Sequence, residues 1–214
     1  MNIKYYIIGL LATTTLLMSC NSSGSLKLTD KGVKKIDNSD SIELTTLVRK
    51  VYEWHETKYR RNGFPFKFKA PNDSIFTGVD WDAYSKEMEV FQTTNFFSNG
   101  FFTTHRTLAL SVDSSIKQAT IEWRNMNNGI PLWDTGADDW CDCQDYPDEY
   151  WKIITLNNFI YNKDTVSFYW TWGQKNEMQY EMKAIKEDEK WRISYIQGFK
   201  FYVTVADYNK IMNK

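Results

Sequence analysis

The chain has 214 residues, with 26 basic and 27 acidic side chains and a formal net charge of −1, a balance that excludes the basic footprint of a nucleic-acid binder. Aromatic residues make up 16% of it, with nine Trp, whereas ten Gly and four Pro are too few for a repeat or low-complexity protein. Removal of a 19-residue leader leaves 195 residues (214 less 19), enough for one domain with a substantial core.

Residues 1–19 read as a lipoprotein signal peptide. Lys4 supplies a positive start, Tyr5 to Leu17 is largely apolar, and Leu17-Met18-Ser19-Cys20 resembles the lipobox of bacterial lipoproteins. That resemblance implies cleavage before Cys20, a diacylglycerol on its sulfur and acylation of its amine. The apolar run is shorter than the ~20 residues a bilayer-spanning helix needs, and buried acyl chains at ~0.8 kcal/mol per CH₂ hold a protein on a membrane without one. Residues 20–39 read as the lipidated cysteine and a flexible tether, beginning with the small, polar Asn21-Ser-Ser-Gly-Ser25. No Asp follows Cys20, and no acidic cluster does either. By resemblance to other lipoproteins, these absences point to the outer membrane and to its periplasmic face.

Residues 40–214 read as one domain. A first helix is expected over about Ser41 to Arg61, capped by Asp40, with Leu44, Val48, Val51, His55 and Tyr59 on one stripe at steps of four and three. Phe64 to Phe76 alternates aromatic and basic residues and reads as a loop laid over the domain, or as a short edge strand. A second helix starts near Asp80 or Asp82 and ends around Asn95, with Trp81, Tyr84, Met88 and Phe91 inward. A third carries Phe101, His105, Leu108, Val112, Ile116, Ala119 and Trp123 on one face and Arg106, Asp113, Ser114 and Lys117 on the other. Both histidines, His55 and His105, thus fall on apolar stripes.

The segment from Leu132 to Glu149 holds seven acidic residues and no basic one. The other 20 of the 27 acidic side chains then face 25 basic ones in the chain without its leader. Four strands follow, over about Tyr150–Tyr161, Thr165–Trp172, Glu177–Lys186 and Lys190–Gln197. The short turns between them force antiparallel neighbours, a meander. In the last strand Trp191, Ile193 and Tyr195 are expected on one face, and Met178, Tyr180, Met182 and Ala184 face inward in the third. Thr204 with Asp207 marks a final short helix. Helices first and then an antiparallel meander with one apolar face is α+β architecture.

Three features form a pattern: Phe96-Phe97-Ser98 before a long helix, Asp138 with Cys143-Gln144-Asp145, and a meander ending Lys190-Trp191-Arg192-Ile193. Together they resemble a family of small bacterial secreted proteins of unknown function in the nuclear-transport-factor-2-like (cystatin-like) superfamily. The resemblance covers about residues 41 to 200. It implies a curved sheet wrapped around a long helix as a cone, often with a cavity, where ketosteroid-isomerase-like and SnoaL-like members carry out proton transfer. The additional Cys141 and the aromatic-basic segment at 64–76 depart from the pattern. A fold of this kind brings no reaction with it.

The candidate sites lie mostly in the acidic segment. Asp138, Asp139, Trp140, Asp142, Gln144 and Asp145 are candidate ligand-binding residues, because aromatic faces beside carboxylates grip sugars or cationic peptides. Trp123, Trp133 and Trp151 flank the same loop. Cys141 and Cys143 are a candidate disulfide in an oxidising compartment. Zinc would need these two cysteines with both histidines, at a Cys-x-Cys spacing tighter than usual and on separate helices. The aspartates do not follow a calcium-loop spacing, so no metal and no cofactor are expected. His55 and His105 could line a pocket for acid–base work with Asp145. The function expected from all this is a membrane-tethered, non-catalytic binding or adaptor domain that takes a protein or peptide partner at an acidic, Trp-rich rim. Two alternatives remain: an immunity protein against a periplasmic toxin, and a pocket enzyme.

Overall fold

Helix α1 (Asn38–Trp54) and the single π turn that continues it (His55–Tyr59) put Leu44, Val48, Val51 and His55 on one buried stripe. The computed structural model describes residues 38–60, 63–118, 138–141, 143, 145–173 and 178–199, all within the compact unit Lys34–Lys214. The signal peptide, Cys20, nearly all of the tether, Ala119, Trp123, Trp133, Asp142, Gln144 and the expected final helix lie outside the described residues.

Strand β1 (Phe66–Phe68) pairs antiparallel with β2 (Phe76–Val79), so the aromatic-basic segment forms a hairpin rather than a loop. Its alternation is that of a strand: Phe66 meets Phe76 edge-on at 4.9 Å. Helix α2 (Trp81–Thr94) is capped by Asp80, whose carboxylate accepts from the amides of Asp82 and Ala83, and ends on Asn95 in the left-handed region. Helix α3 (Asn99–Gln118) follows Ser98, whose hydroxyl accepts from the Phe101 amide at 3.2 Å.

The four-stranded sheet runs β3 (Ile154–Asn162), β4 (Thr165–Trp172), β5 (Tyr180–Glu187) and β6 (Lys190–Ile196), in that order and antiparallel throughout. The fold is therefore α+β, with helices packed on an antiparallel meander. Asp188 and Glu189, both at positive φ, make the tight turn between β5 and β6 that matches strand twist. Val166, Phe168, Trp170, Tyr180, Met182, Ala184 and Ile193 face the helices and are buried; each large apolar side chain so placed contributes about 1.5–3 kcal/mol. Helix α1 lies against β3 and β6, and α3 against β2 and β6. Phe96 and Ser98 extend the sheet by exchanging backbone hydrogen bonds with Ile193, which covers that edge.

Five expectations need correction. Asp40 sits inside the first turn of α1 instead of capping it, and its carboxylate accepts from the Trp191 indole at 3.0 Å and from Lys186 at 3.4 Å. Asp113 is buried, not solvated: it accepts from the Val79 amide at 2.8 Å and from Lys117 at 2.7 Å. Tyr195 turns outward, because an irregularity between Lys183 and Ala184 adds one residue to β6 and reverses its faces. Ile196 takes the inner position, while Lys183 lies 5.0 Å over the Tyr195 ring. The first strand begins at Ile154, after a 3-10 turn over Tyr150–Lys152. Met178 lies before β5 and is 59% exposed.

Candidate functional site

Among its described residues, the acidic segment turns Trp140, Cys141 and Cys143 into the core instead of presenting them on a rim. Asp138 and Cys143 form an antiparallel bridge, with the Asp138 amide donating to the Cys143 carbonyl at 2.7 Å. The Asp138 carboxylate accepts from the Trp140 amide at 2.8 Å, a side-chain turn of the kind aspartate favours. Cys141 and Cys143 are joined as a disulfide, their Cα atoms 5.1 Å apart, within the ordinary range. This small fold drives Trp140 inward. It is 2% exposed and packs on His55, Phe91 and Phe199. Its carbonyl accepts from the Tyr52 hydroxyl at 2.7 Å. Trp140 is therefore a core anchor, and its indole is not available on a binding rim. Asp138 and Asp139 are half-buried, Asp145 is exposed, and Trp151 is half-buried.

The π turn brings a second set of groups to the same place. A π turn adds one residue to a helical turn and shifts which side chains face in. Here it buries His55 under Trp140 and leaves Glu56, 16% exposed, at the edge. Glu56 lies 3.2 Å from Nδ1 of His55 and accepts from the Tyr150 hydroxyl at 3.1 Å. Tyr146, 38% exposed, packs against Tyr150 with centroids 4.8 Å apart and planes 57° from parallel. Burial pushes the Tyr52 hydroxyl well above its usual range, with Asp138 adding to the effect. Burial also raises Tyr150, helped by Tyr52 and Glu56, and raises Tyr146, helped by Asp138 and Glu56. All three phenols stay protonated, so the negative charge of the cluster rests on the two carboxylates. A half-exposed aromatic ring thus lies near the Asp138 and Glu56 carboxylates, with Asp145, Asp148 and Glu149 exposed in the same segment.

His105 lies elsewhere in the core. It is boxed by Phe64, Tyr84, Phe91, Phe101 and Phe199, with Nδ1 hydrogen-bonded to the Tyr84 hydroxyl at 3.0 Å. Burial lowers its pKa to about 3 and raises that of Tyr84 to about 12. The crevice between His105, Ser194 and Ile196 measures about 10 Å³, room for one water. His55 lies on Trp140 and meets Glu56, whereas His105 lies on Phe91 and meets Tyr84. Asp145 is on the exposed strip, not between them.

Glu56, Tyr52, Tyr146 and Tyr150 are absent from the sequence-derived candidates. The available signal was Glu56 one position off the buried stripe beside His55, together with the tyrosines that close the acidic segment. Among the described residues, no three His, Cys, Asp or Glu side chains are grouped to hold a metal ion, and no helix is long and apolar enough to cross a membrane. Compared with protein-family models, with curated proteins and with solved structures, the chain matches none.

Proposed function

We propose that this chain is a non-catalytic binding domain, held on the periplasmic side of a bacterial outer membrane by a lipid on Cys20, that takes a cationic group of a peptide or protein partner. The recognition surface is acidic and carries a tyrosine ring rather than tryptophans: Glu56 and Asp138 with Tyr146, which the buried Tyr150 backs from the core, continued by Asp145, Asp148 and Glu149. The observation that carries this reading is Tyr146, a half-exposed ring set at 57° against Tyr150 with centroids 4.8 Å apart, while the Tyr150 hydroxyl is bonded to Glu56. An ammonium or guanidinium laid on that ring meets a quadrupole, worth about 0.5–2 kcal/mol, and a carboxylate, worth no more than about 1 kcal/mol. The cone-like superfamily resemblance is part of the same proposal and adds no reaction to it.

The test is titration of the protein lacking residues 1–20 with a short lysine- and arginine-rich peptide at low and moderate salt. Binding should weaken as salt rises, and at least tenfold in the Glu56→Gln/Tyr146→Ala double variant. Equal affinity for that variant, or indifference to salt, refutes the reading.

A further inference from the structure

We propose that the Cys141–Cys143 disulfide is a redox latch: oxidised, it keeps the segment from Asp138 to Cys141 docked in the core; reduced, it lets the segment and its Trp140 indole leave. Three observations support this. The first is the size of the ring. The bridge spans a sequence separation of two, so it removes far less denatured-state entropy than a long loop would. Its effect on the molecule is therefore local, on the shape of the segment that it closes.

The second is the convergence of contacts on that segment. Within four residues, the Asp138 amide meets the Cys143 carbonyl, the Trp140 amide meets the Asp138 carboxylate, the Trp140 carbonyl meets the Tyr52 hydroxyl, and the Trp140 ring lies on His55 at 4.3 Å. The Asp139 carbonyl adds a fifth contact: it lies so close to Gly198 that a Cβ there would be 1.7 Å from it. The segment is docked on α1, the π turn and the end of β6 at once.

The third is burial. Cys141 and Cys143 are 1% and 4% exposed. Two thiols need more room than one disulfide, since the sulfurs must part to non-bonded contact and each carries a hydrogen. In a core packed to ordinary density that room comes from moving the segment. Burial also means that a reductant reaches the sulfurs only when the segment is lifted, so reduction and undocking are one coupled equilibrium.

The chemistry is thiol–disulfide exchange with a dithiol. One thiolate of the dithiol attacks a bridge sulfur, forming a mixed disulfide and releasing the other cysteine as a thiolate. The second thiol of the dithiol then displaces the first cysteine. The dithiol ends as a cyclic disulfide, and Cys141 and Cys143 end as two thiols, having gained two electrons and two protons. A disulfide oxidant reverses the step. The latch needs no ligand, so it stands or falls apart from the cation-binding proposal.

The test uses the full chain in detergent, equilibrated without denaturant in mixtures of reduced and oxidised dithiothreitol. Alkylation and intact mass give the reduced fraction, far-ultraviolet circular dichroism gives the fold, and hydrogen exchange gives protection of the Asp138 and Trp140 amides. The expected result is reduction with the far-ultraviolet signal retained, at least tenfold faster exchange at those two amides, and a change in Trp emission that disappears in Trp140→Phe. The Cys141→Ser/Cys143→Ser variant should exchange like the reduced protein. Thiols that become reactive only as the far-ultraviolet signal is lost overturn the latch, and so does unchanged protection at Asp138 and Trp140 after reduction.

Discussion

The imidazole of His55 stacks on the indole of Trp140, with centroids 4.3 Å apart and planes 28° from parallel. One ring comes from the π turn that ends α1 and the other from the acidic segment. This contact, with the Tyr52 hydroxyl on the Trp140 carbonyl, ties the most acidic stretch of the chain to the core.

Replacing Trp140 by Ala should therefore destabilise the domain by about 3–5 kcal/mol, the usual cost of emptying a large aromatic site. Asp145→Asn, on the exposed strip, should change stability by less than about 0.5 kcal/mol. Urea unfolding checks both: the Trp140→Ala midpoint falls with its slope unchanged. A Trp140→Ala midpoint equal to that of the parent would mean that the indole is not an anchor.

Acid should destabilise the fold through His105. Its pKa is about 3 in the folded protein against the usual 6.5, because burial disfavours the charged ring. The unfolded chain thus binds the proton first as pH falls. The stability that the neutral, buried ring contributes is present in full above about pH 6.5 and is lost progressively toward pH 3. Between about pH 7.5 and about pH 4.5 the loss from this one group is about 2–3 kcal/mol. Carboxylates titrate in the same range, so the diagnostic is the difference from His105→Gln, whose amide still reaches the Tyr84 hydroxyl. Thermal melts across that range should show the parent losing more stability than the variant; parallel curves would contradict the assignment.

Much of this architecture was legible because it is written in local period. The stripe of α1, the start of α2 near Asp80 or Asp82, the inner face of α3 and the bounds of β4 follow from spacing that reaches no further than a few residues. What was hidden depends on partners distant in sequence. Trp140 sits between Asp139 and Cys141 in a segment that holds seven acidic residues and no basic one, a context that reads as solvated, and only its contacts with α1 and the π turn reveal that it is buried. Tyr195 is one residue past a bulge, which period-two alternation does not mark. Glu56 gains its meaning from Tyr150, 94 positions away.

Backbone proximity sets opposite expectations for two glycines. A Cβ on Gly198 would lie 1.7 Å from the Asp139 carbonyl oxygen, backbone against backbone, so Gly198→Ala forces the acidic segment or the turn after β6 to move. A cost of about 2 kcal/mol or more is expected. Gly100 lies in the first turn of α3 with Ser98 Oγ as its near neighbour at 3.5 Å. Ala fits there at ordinary contact and restricts the unfolded chain, a gain of about 0.5 kcal/mol. Denaturation midpoints moving in opposite directions check the pair. A Gly198→Ala protein as stable as the parent would deny the close approach.

Asp113 pins α3 to the hairpin, and its removal separates two effects that a salt-bridge count merges. Its carboxylate is 8% exposed as a residue and accepts from the Val79 amide at 2.8 Å and from Lys117 at 2.7 Å. The Lys117 side chain is 55% exposed, so the ion pair faces water and is worth no more than about 0.5 kcal/mol. The amide is different: without Asp113 it is a buried donor with no acceptor, a loss of about 1–3 kcal/mol. Gly78, next to it in β2, has no side chain to interpose, and a Cβ there would come within 2.5 Å of the carboxylate. Asp113→Ala should therefore cost about 2 kcal/mol, and Lys117→Ala no more than about 0.5 kcal/mol. Raising salt should reduce the Lys117 effect and leave the Asp113 effect unchanged. Amide exchange at Val79 gives the direct readout, accelerating in Asp113→Ala and staying near the parent rate in Lys117→Ala. Equal costs for the two variants would mean that the ion pair, not the buried amide, joins the helix to the hairpin.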